Sequence, residues 1–249
     1  VQINPLDLKN IAVLLDVDGT ILDIAATPLA VSVPRRLKAV LETLRDHTGG
    51  ALAFVSGRPL SQLDQLFAPL KLPAVAGHGA ELRVNGLEPR ARFTSDIDRD
   101  LRGQFAAFAS KLDGIILEDK GYSLALHYRL APQHAETVRE AVAAACAIYP
   151  DDAIEVLPGK AVIEVKPAAF NKGKGIRELM AYPPFHGKRP IFIGDDITDD
   201  SAFAVLPEFN GLGYSVGRKI SGLAGSFHEP RDVRDWLYRI AEHNGAGLQ

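Results

Sequence analysis

Ile11-Ala12-Val13-Leu14-Leu15-Asp16-Val17-Asp18-Gly19-Thr20 is an unbroken apolar run that ends on two carboxylates. Five apolar residues without alternation suit a strand buried on both faces, as in the middle of a parallel sheet. The carboxyl ends of strands in open parallel sheets are where such folds bind ligands. In strand geometry Asp16 and Asp18 would point the same way. Like charges that close are unfavourable unless a cation neutralises them or one holds a proton. Asp-Gly is also common turn chemistry, so this segment alone leaves both readings open.

Moving outward, the alternation of strand and helix repeats. Pro34 can open a helix to about His47, with Leu37, Val40, Leu41 and Leu44 on one face, and Gly49-Gly50 stops it. Ala51 to Val55 reads as a second buried strand, Pro59 opens a helix through Leu66, and Pro73 to Ala76 is a third short strand. Near Phe93 the pattern changes. Asp96 to Leu112 has helical phase, Ile115–Leu117 and Tyr122–Tyr128 read as strands, and Pro132 begins a helix to about Ile148. Two further strands, Ala153–Leu157 and Ala161–Val165, flank a turn expected at Pro158-Gly159. The α/β order then resumes: helix Lys174–Tyr182, strand Pro190–Gly194, helix Thr198–Val205, strand Gly211–Val216, helix Asp232–Glu242. The expected architecture is α/β: a Rossmann-like parallel-sheet core with helices on both faces, residues 1–92 and 168–249. It carries an inserted α+β domain of order αββαββ at 93–167.

Composition narrows the function classes. The 249 residues are 47% hydrophobic and 24% charged, ordinary for a globular protein. Such a chain buries roughly 70–75% of its unfolded surface and needs no structural metal or disulfide to fold. The single cysteine, Cys146, allows no intrachain disulfide and favours a reducing, cytoplasmic compartment. A formal charge of −3 argues against nucleic acid or an anionic membrane as the main partner. No segment approaches the roughly 20 apolar residues of a membrane helix.

A second acidic segment, Gly194-Asp195-Asp196-Ile197-Thr198-Asp199-Asp200, again follows an apolar strand. Helix capping explains one or two of its aspartates, not four. A hard divalent cation with oxygen ligands, such as Mg²⁺, explains the cluster better. Ser56-Gly57-Arg58-Pro59 follows the second strand and can seat an anion at a helix start. In Asn171-Lys172-Gly173-Lys174-Gly175 a lysine can reach a phosphoryl oxygen. The Walker A pattern and G-x-G-x-x-G are absent, which leaves a dinucleotide site without support.

Taken together, D-x-D-x-T, then Ser, then Lys, then G-D-D-x-x-D resembles the haloacid-dehalogenase-like (HAD) phosphatase superfamily. The insert lies where that superfamily places a type 2 cap. Finer segments are similar to the trehalose-6-phosphate phosphatases: Leu52 to Pro59, Ala76 to Glu81, Leu117 to Leu124, His127-Tyr128-Arg129, Lys160 to Pro167, Asn171-Lys172-Gly173 and Gly194 to Asp199. Asp200 departs from the glutamate that many members carry there.

The resemblance implies hydrolysis of a sugar phosphate, trehalose 6-phosphate, with Mg²⁺. Asp16 would be the nucleophile that forms an aspartyl-phosphate, and Asp18 the acid and then the base. Asp16, the Asp18 carbonyl and Asp195 would hold the metal, with Asp196 and Asp199 behind them. Thr20, Ser56 and Lys172 would bind the phosphate oxygens. Cap residues Glu118, Lys120, Arg129, Lys160 and Glu164, joined by Arg58 and His78 from the core, would bind the sugar. Even spacing places Glu118 with Lys120, and Lys160 with Glu164, on shared strand faces. The rival substrates on this scaffold are sucrose phosphate and mannosyl-phosphoglycerate. A signalling receiver is disfavoured by the insert and by Asp18, since a receiver needs no acid two residues after its phosphoacceptor. A catalytically dead sensor is disfavoured because every expected catalytic side chain is present.

Overall fold

The computed structural model describes residues 7–24, 31–84, 90–91, 99–150 and 153–245. The strands, in chain order, are β1 (Ile11–Leu15), β2 (Leu52–Val55), β3 (Ala74–Ala76), β4 (Glu81–Arg83), β5 (Arg90–Ala91), β6 (Ile116–Asp119), β7 (Leu124–His127), β8 (Ile154–Gly159), β9 (Val162–Pro167), β10 (Arg189–Gly194), β11 (Leu212–Val216) and β12 (Gly225–Phe227). The helices are α1 (Arg35–His47), α2 (Leu60–Phe67), α3 (Arg99–Ala109), α4 (Ala135–Cys146), α5 (Lys172–Leu179), α6 (Asp200–Val205) and α7 (Pro230–Gly245). The chain divides into two compact units, Val1–Ala91 with Asn171–Gln249, and Arg92–Phe170.

In the first unit the sheet order is β12-β11-β10-β1-β2-β3-β4-β5. The pairs from β12 across to β3 are parallel, and β4 and β5 add an antiparallel edge. β1 lies at the centre of the parallel part, buried along its whole length. Its alternate residues serve two cores, as the period of two requires. Ile11, Val13 and Leu15 face a cluster with Leu37 and Leu41 of α1, Leu63 of α2 and Trp236 of α7. Ala12 and Leu14 face a second cluster with Ile176 and Leu179 of α5 and Phe203 of α6. Helices therefore cover both faces, and the carboxyl ends of β1, β2 and β10 are left to the loops that carry Asp16, Ser56 and Asp195.

The second unit is an antiparallel sheet of order β6-β7-β9-β8 with α3 and α4 on one face. Leu124, Leu126, Ile163 and Val165 point to those helices and pack with Leu101, Phe105, Val138 and Val142. The order αββαββ is the one expected. Asp96 and Ile97, the expected start of the first helix here, lie outside the described residues.

Three strands were not anticipated. β4 and β5 are very short, and β4 carries Glu81 and Arg83 at its alternate positions. β12 is Gly-Ser-Phe, with little intrinsic strand preference, and forms by pairing in parallel with β11. The β8–β9 turn also differs. Pro158 and Gly159 stay in the ladder, paired with Ile163 and Val162, and the turn is Lys160-Ala161 with Ala161 at φ 60°. Proline needs no ladder donor on an edge strand, and β8 is the edge. Lys160 is thus a turn residue and does not share a strand face with Glu164. Among the described residues no helix is long and apolar enough to cross a membrane.

Candidate active site

β1 ends at Leu15, but the Asp16 amide still donates to the Ile193 carbonyl at 2.9 Å and holds Asp16 in the plane of the sheet. The chain then turns. The Val17 carbonyl accepts from the amides of Thr20, Ile21 and Leu22. Gly19 has φ +79°, and a Cβ there would lie 2.1 Å from Asp195 Oδ2. Glycine is required on both counts: left-handed backbone, and room for the facing carboxylate.

Asp16 is 4% exposed and Lys172 2%. Lys172 Nζ donates to Asp16 Oδ1 at 2.8 Å and to Asp199 Oδ1 at 2.6 Å. Its position follows from local sequence: Asn171 caps α5 by accepting from the Lys174 amide at 2.8 Å, and Lys172 is the first helical residue. Thr20 Oγ1 lies 3.1 Å from Asp16 Oδ2 and 3.3 Å from Asp195 Oδ1, able to donate to either.

β10 delivers the second acidic segment. Its loop closes by reciprocal capping, in which Asp199 Oδ2 accepts from the amides of Asp195 at 2.9 Å and Asp196 at 3.0 Å. Asp199 is fully buried, and both its oxygens are thereby engaged. Asp196 is exposed, and its side chain accepts from the Ile197 amide.

Asp16, Asp195 and Asp199 each offer a carboxylate oxygen within 4.8 Å of the others. Three carboxylates face one ammonium, and the titration follows. Burial, most of all, lifts the Asp16 carboxyl well above the usual range; Lys172 pulls it down while Asp199 and Asp195 push it up. Burial and then the Asp199 charge push Asp195 up to about 6. For Lys172, burial opposes the charge, but Asp16 and Asp199 outweigh it and hold the ammonium above its usual range. The donor set is all hard oxygen with surplus negative charge, which suits a divalent cation.

Asp18 is engaged elsewhere. Arg58 Nε and Nη2 donate to its two carboxylate oxygens at 2.5 and 2.6 Å, a bidentate fork. The Arg58 amide donates to the buried Ser56 Oγ at 3.1 Å. The turn of Gly77, His78 and Gly79 locks onto the same segment: the Gly77 amide donates to the Arg58 carbonyl and the His78 amide to the Ser56 carbonyl. His78 adopts φ 54°, and its ring covers Gly57 so closely that a Cβ there would lie 2.4 Å from Nε2. Asp16, Thr20, Lys172, Asp195 and Asp199 thus form one cluster, with Ser56, Arg58 and Asp18 linked in a second chain of contacts.

Within the inserted unit, the sheet face opposite α3 and α4 is polar. Register sets Glu118 beside Ala125 and Ala125 beside Glu164. Glu164 accepts from Lys120 Nζ at 2.8 Å and from the buried Ser123 Oγ at 2.6 Å. Glu118 Oε2 lies 2.9 Å from His127 Nε2. Arg129 and Lys160 are exposed, and Arg129 Nη2 donates to the Lys160 carbonyl at 3.1 Å. Sequence reading set Ser123 and His127 on the exposed side of their strand but gave them no binding role. Their strand alternation was visible, but the register that puts them beside Glu164 and Glu118 was not.

Comparison with known proteins agrees with this geometry. A family model described as trehalose-phosphatase matches residues 14–226. A probable trehalose-phosphate phosphatase of Sinorhizobium fredii is 43% identical over 241 residues, covering 94% of this chain and 89% of that protein. The trehalose-6-phosphate phosphatase of Escherichia coli is 36% identical over 226 residues, covering 90% and 84%. Among solved structures, the C-terminal domain of the Candida albicans trehalose-6-phosphate phosphatase aligns with TM-score 0.80 at 24% identity, over 94% of this chain and 92% of that one. A HAD phosphatase of Bacteroides thetaiotaomicron shares the fold, with TM-score 0.62 at 14% identity over 95% of each chain.

Proposed function

The chain belongs to the trehalose-phosphatase family, and on that premise we propose that it hydrolyses trehalose 6-phosphate to trehalose and inorganic phosphate, a step of trehalose biosynthesis. The observation that carries this reading is the buried Asp16, held by Lys172 and Thr20 beside Asp195.

Asp16 attacks the phosphorus in line. A bond forms from its carboxylate oxygen to phosphorus as the bond to the sugar oxygen breaks. Lys172 and Thr20, with the Ser56 hydroxyl, take the non-bridging oxygens where charge sits in the transition state. Asp18 delivers a proton to the departing sugar oxygen. It then takes one from the water that attacks the phosphorus and frees Asp16. Both Asp18 oxygens accept from Arg58 in the structure; when the dianionic phosphate draws that guanidinium away, the freed carboxylate takes up a proton from solvent, and this is the proton it delivers. A divalent cation, Mg²⁺ in this proposal, screens the repulsion between Asp16 and the phosphate when bound. Asp16, Asp195 and the Asp18 carbonyl would hold it, with Asp199 fixing the Asp195 amide and Lys172.

The inserted unit, residues 93–167 in the sequence reading and Arg92–Phe170 by compactness, serves as the cap that recognises the sugar. Glu118, Lys120 and Glu164 lie on its polar face, and Arg129 and Lys160 beside it supply further charge for hydroxyls. In the core unit, Arg58 and His78 are proposed as further sugar contacts, and Asp196, in the loop that holds the cation, as a group that orients its ligands. The compartment proposed is the cytoplasm, from the single cysteine.

Asp16→Asn tests the assignment. Replacing the nucleophile with a near-isostere is expected to lower turnover by at least about a thousandfold while the metal-free circular dichroism spectrum is unchanged. Turnover near that of the unaltered enzyme would refute the role of Asp16.

A further inference from the structure

Arg218 follows β11 and belongs to none of the motifs read from the sequence. Its guanidinium nevertheless grips the second acidic segment at three points. Nε donates to the Asp195 carbonyl at 2.9 Å, and Nη2 donates to the Asp196 carbonyl and to Asp200 Oδ1, the latter at 2.7 Å. Its own backbone is anchored, since the Arg218 carbonyl accepts from Ser215 Oγ at 2.6 Å, and Ser215 is fully buried. Asp200 is the aspartate of that segment to which neither capping nor the cation gives a task.

The consequence is clearest at Asp195. Its amide donates to Asp199 Oδ2, its carbonyl accepts from Arg218, and its carboxylate lies beside Thr20. Both peptide units flanking Asp195 are therefore fixed by side chains, one from Asp199 of the same segment and one from Arg218 beyond β11. A planar guanidinium can bond two successive carbonyls and a carboxylate at once, which a lysine ammonium cannot match in fixed geometry. It also offsets the like charge of a loop with four aspartates.

We propose that Arg218 is a positioning residue: anchored through Asp200, it sets the main chain at Asp195 so that the Asp195 carboxylate faces Asp16, and so raises the affinity for the divalent cation. This rests on the reading that Asp195 is a ligand of that cation. Groups that orient metal ligands from behind are worth about 10–100-fold in metal affinity.

The test is a thermal-shift titration of the full chain with MgCl₂, in which the logarithmic rise of Tm with concentration is fitted to one-site linkage to give an apparent Kd. The forms compared are the unaltered protein, Arg218→Gln, Arg218→Lys, Asp200→Ala and Asp195→Asn. Arg218→Gln is expected to need about 10–100-fold more MgCl₂, and Arg218→Lys an intermediate amount. At saturating MgCl₂, KM for the sugar phosphate should stay within about twofold of the unaltered value, since the substrate contacts are intact. An apparent Kd for Arg218→Gln within about twofold of the unaltered protein overturns the proposal. Should Arg218→Gln not fold, Asp200→Ala decides, because it keeps both carbonyl bonds and removes the side chain that anchors the guanidinium. Weakened binding there supports the proposal and unaltered binding overturns it. Asp195→Asn separates the two claims. If it binds MgCl₂ as the unaltered protein does, the ligand reading fails and this proposal with it. If it loses binding while the Arg218 and Asp200 variants keep theirs, the positioning role alone fails.

Discussion

At the scale of single residues, Lys172 is the side chain on which the buried charge depends, 2.8 Å from Asp16 and 2.6 Å from Asp199. Lys172→Met would leave two carboxylates buried without their cation, which is expected to cost about 3–5 kcal/mol in urea unfolding of the metal-free protein. The loss should be largest near neutral pH and smaller in acid, where the Asp16 carboxyl, already raised by burial, takes up a proton. A loss independent of pH would contradict this account. Asp195 carries a related prediction. Its folded value of about 6 lies above the ordinary 3.8, so across that window the folded state binds more protons than the unfolded one. Stability of the metal-free protein therefore falls as pH rises through it. A divalent cation displaces that proton and relieves the repulsion, so MgCl₂ should raise Tm more at about pH 7.5 than at about pH 5. Equal rises would show that these carboxylates do not hold the ion. Much of this was legible in the sequence, because Asp16, Lys172 and the 195–200 aspartates lie at strand ends and a helix start. The Arg58–Asp18 fork and the Arg218 clamp were not, since they join residues 40 and 23 positions apart through contacts that no local spacing encodes.

At the scale of elements, β1 shows how little sequence is needed to place a site. Its alternate side chains enter two different cores, which fixes the strand along both faces and with it the position of Asp16. Leu14→Ala removes a fully buried side chain and is expected to cost about 2–5 kcal/mol of stability by chemical denaturation. A change under about 0.5 kcal/mol would mean that Leu14 is not in the core. Proline-opened helices and buried strands were readable because burial imposes a period. The β8–β9 turn was misplaced because Pro-Gly signals a turn locally, whereas edge position lets Pro158 remain in the ladder. β4 and β12 escaped notice because three residues are too few to show a period.

At the scale of the whole molecule, the two units have separate cores, and the proposed function gives them separate tasks, phosphoryl transfer in one and sugar recognition in the other. Glu164→Gln should therefore raise KM for trehalose 6-phosphate by about tenfold and leave a small aryl phosphate nearly unaffected, since the bonds from Lys120 and Ser123 to its carboxylate order the polar face proposed to bind the sugar. Equal effects on both substrates would assign Glu164 to stability alone. The most direct measurement is kcat/KM for phosphate release from trehalose 6-phosphate, sucrose phosphate, mannosyl-phosphoglycerate and glucose 6-phosphate, each with saturating MgCl₂. The expected result is a preference of at least about a hundredfold for trehalose 6-phosphate, the discrimination available when a site built to bond specific hydroxyls meets an analogue that lacks them. Comparable kcat/KM on the unrelated monosaccharide phosphate would contradict the assignment.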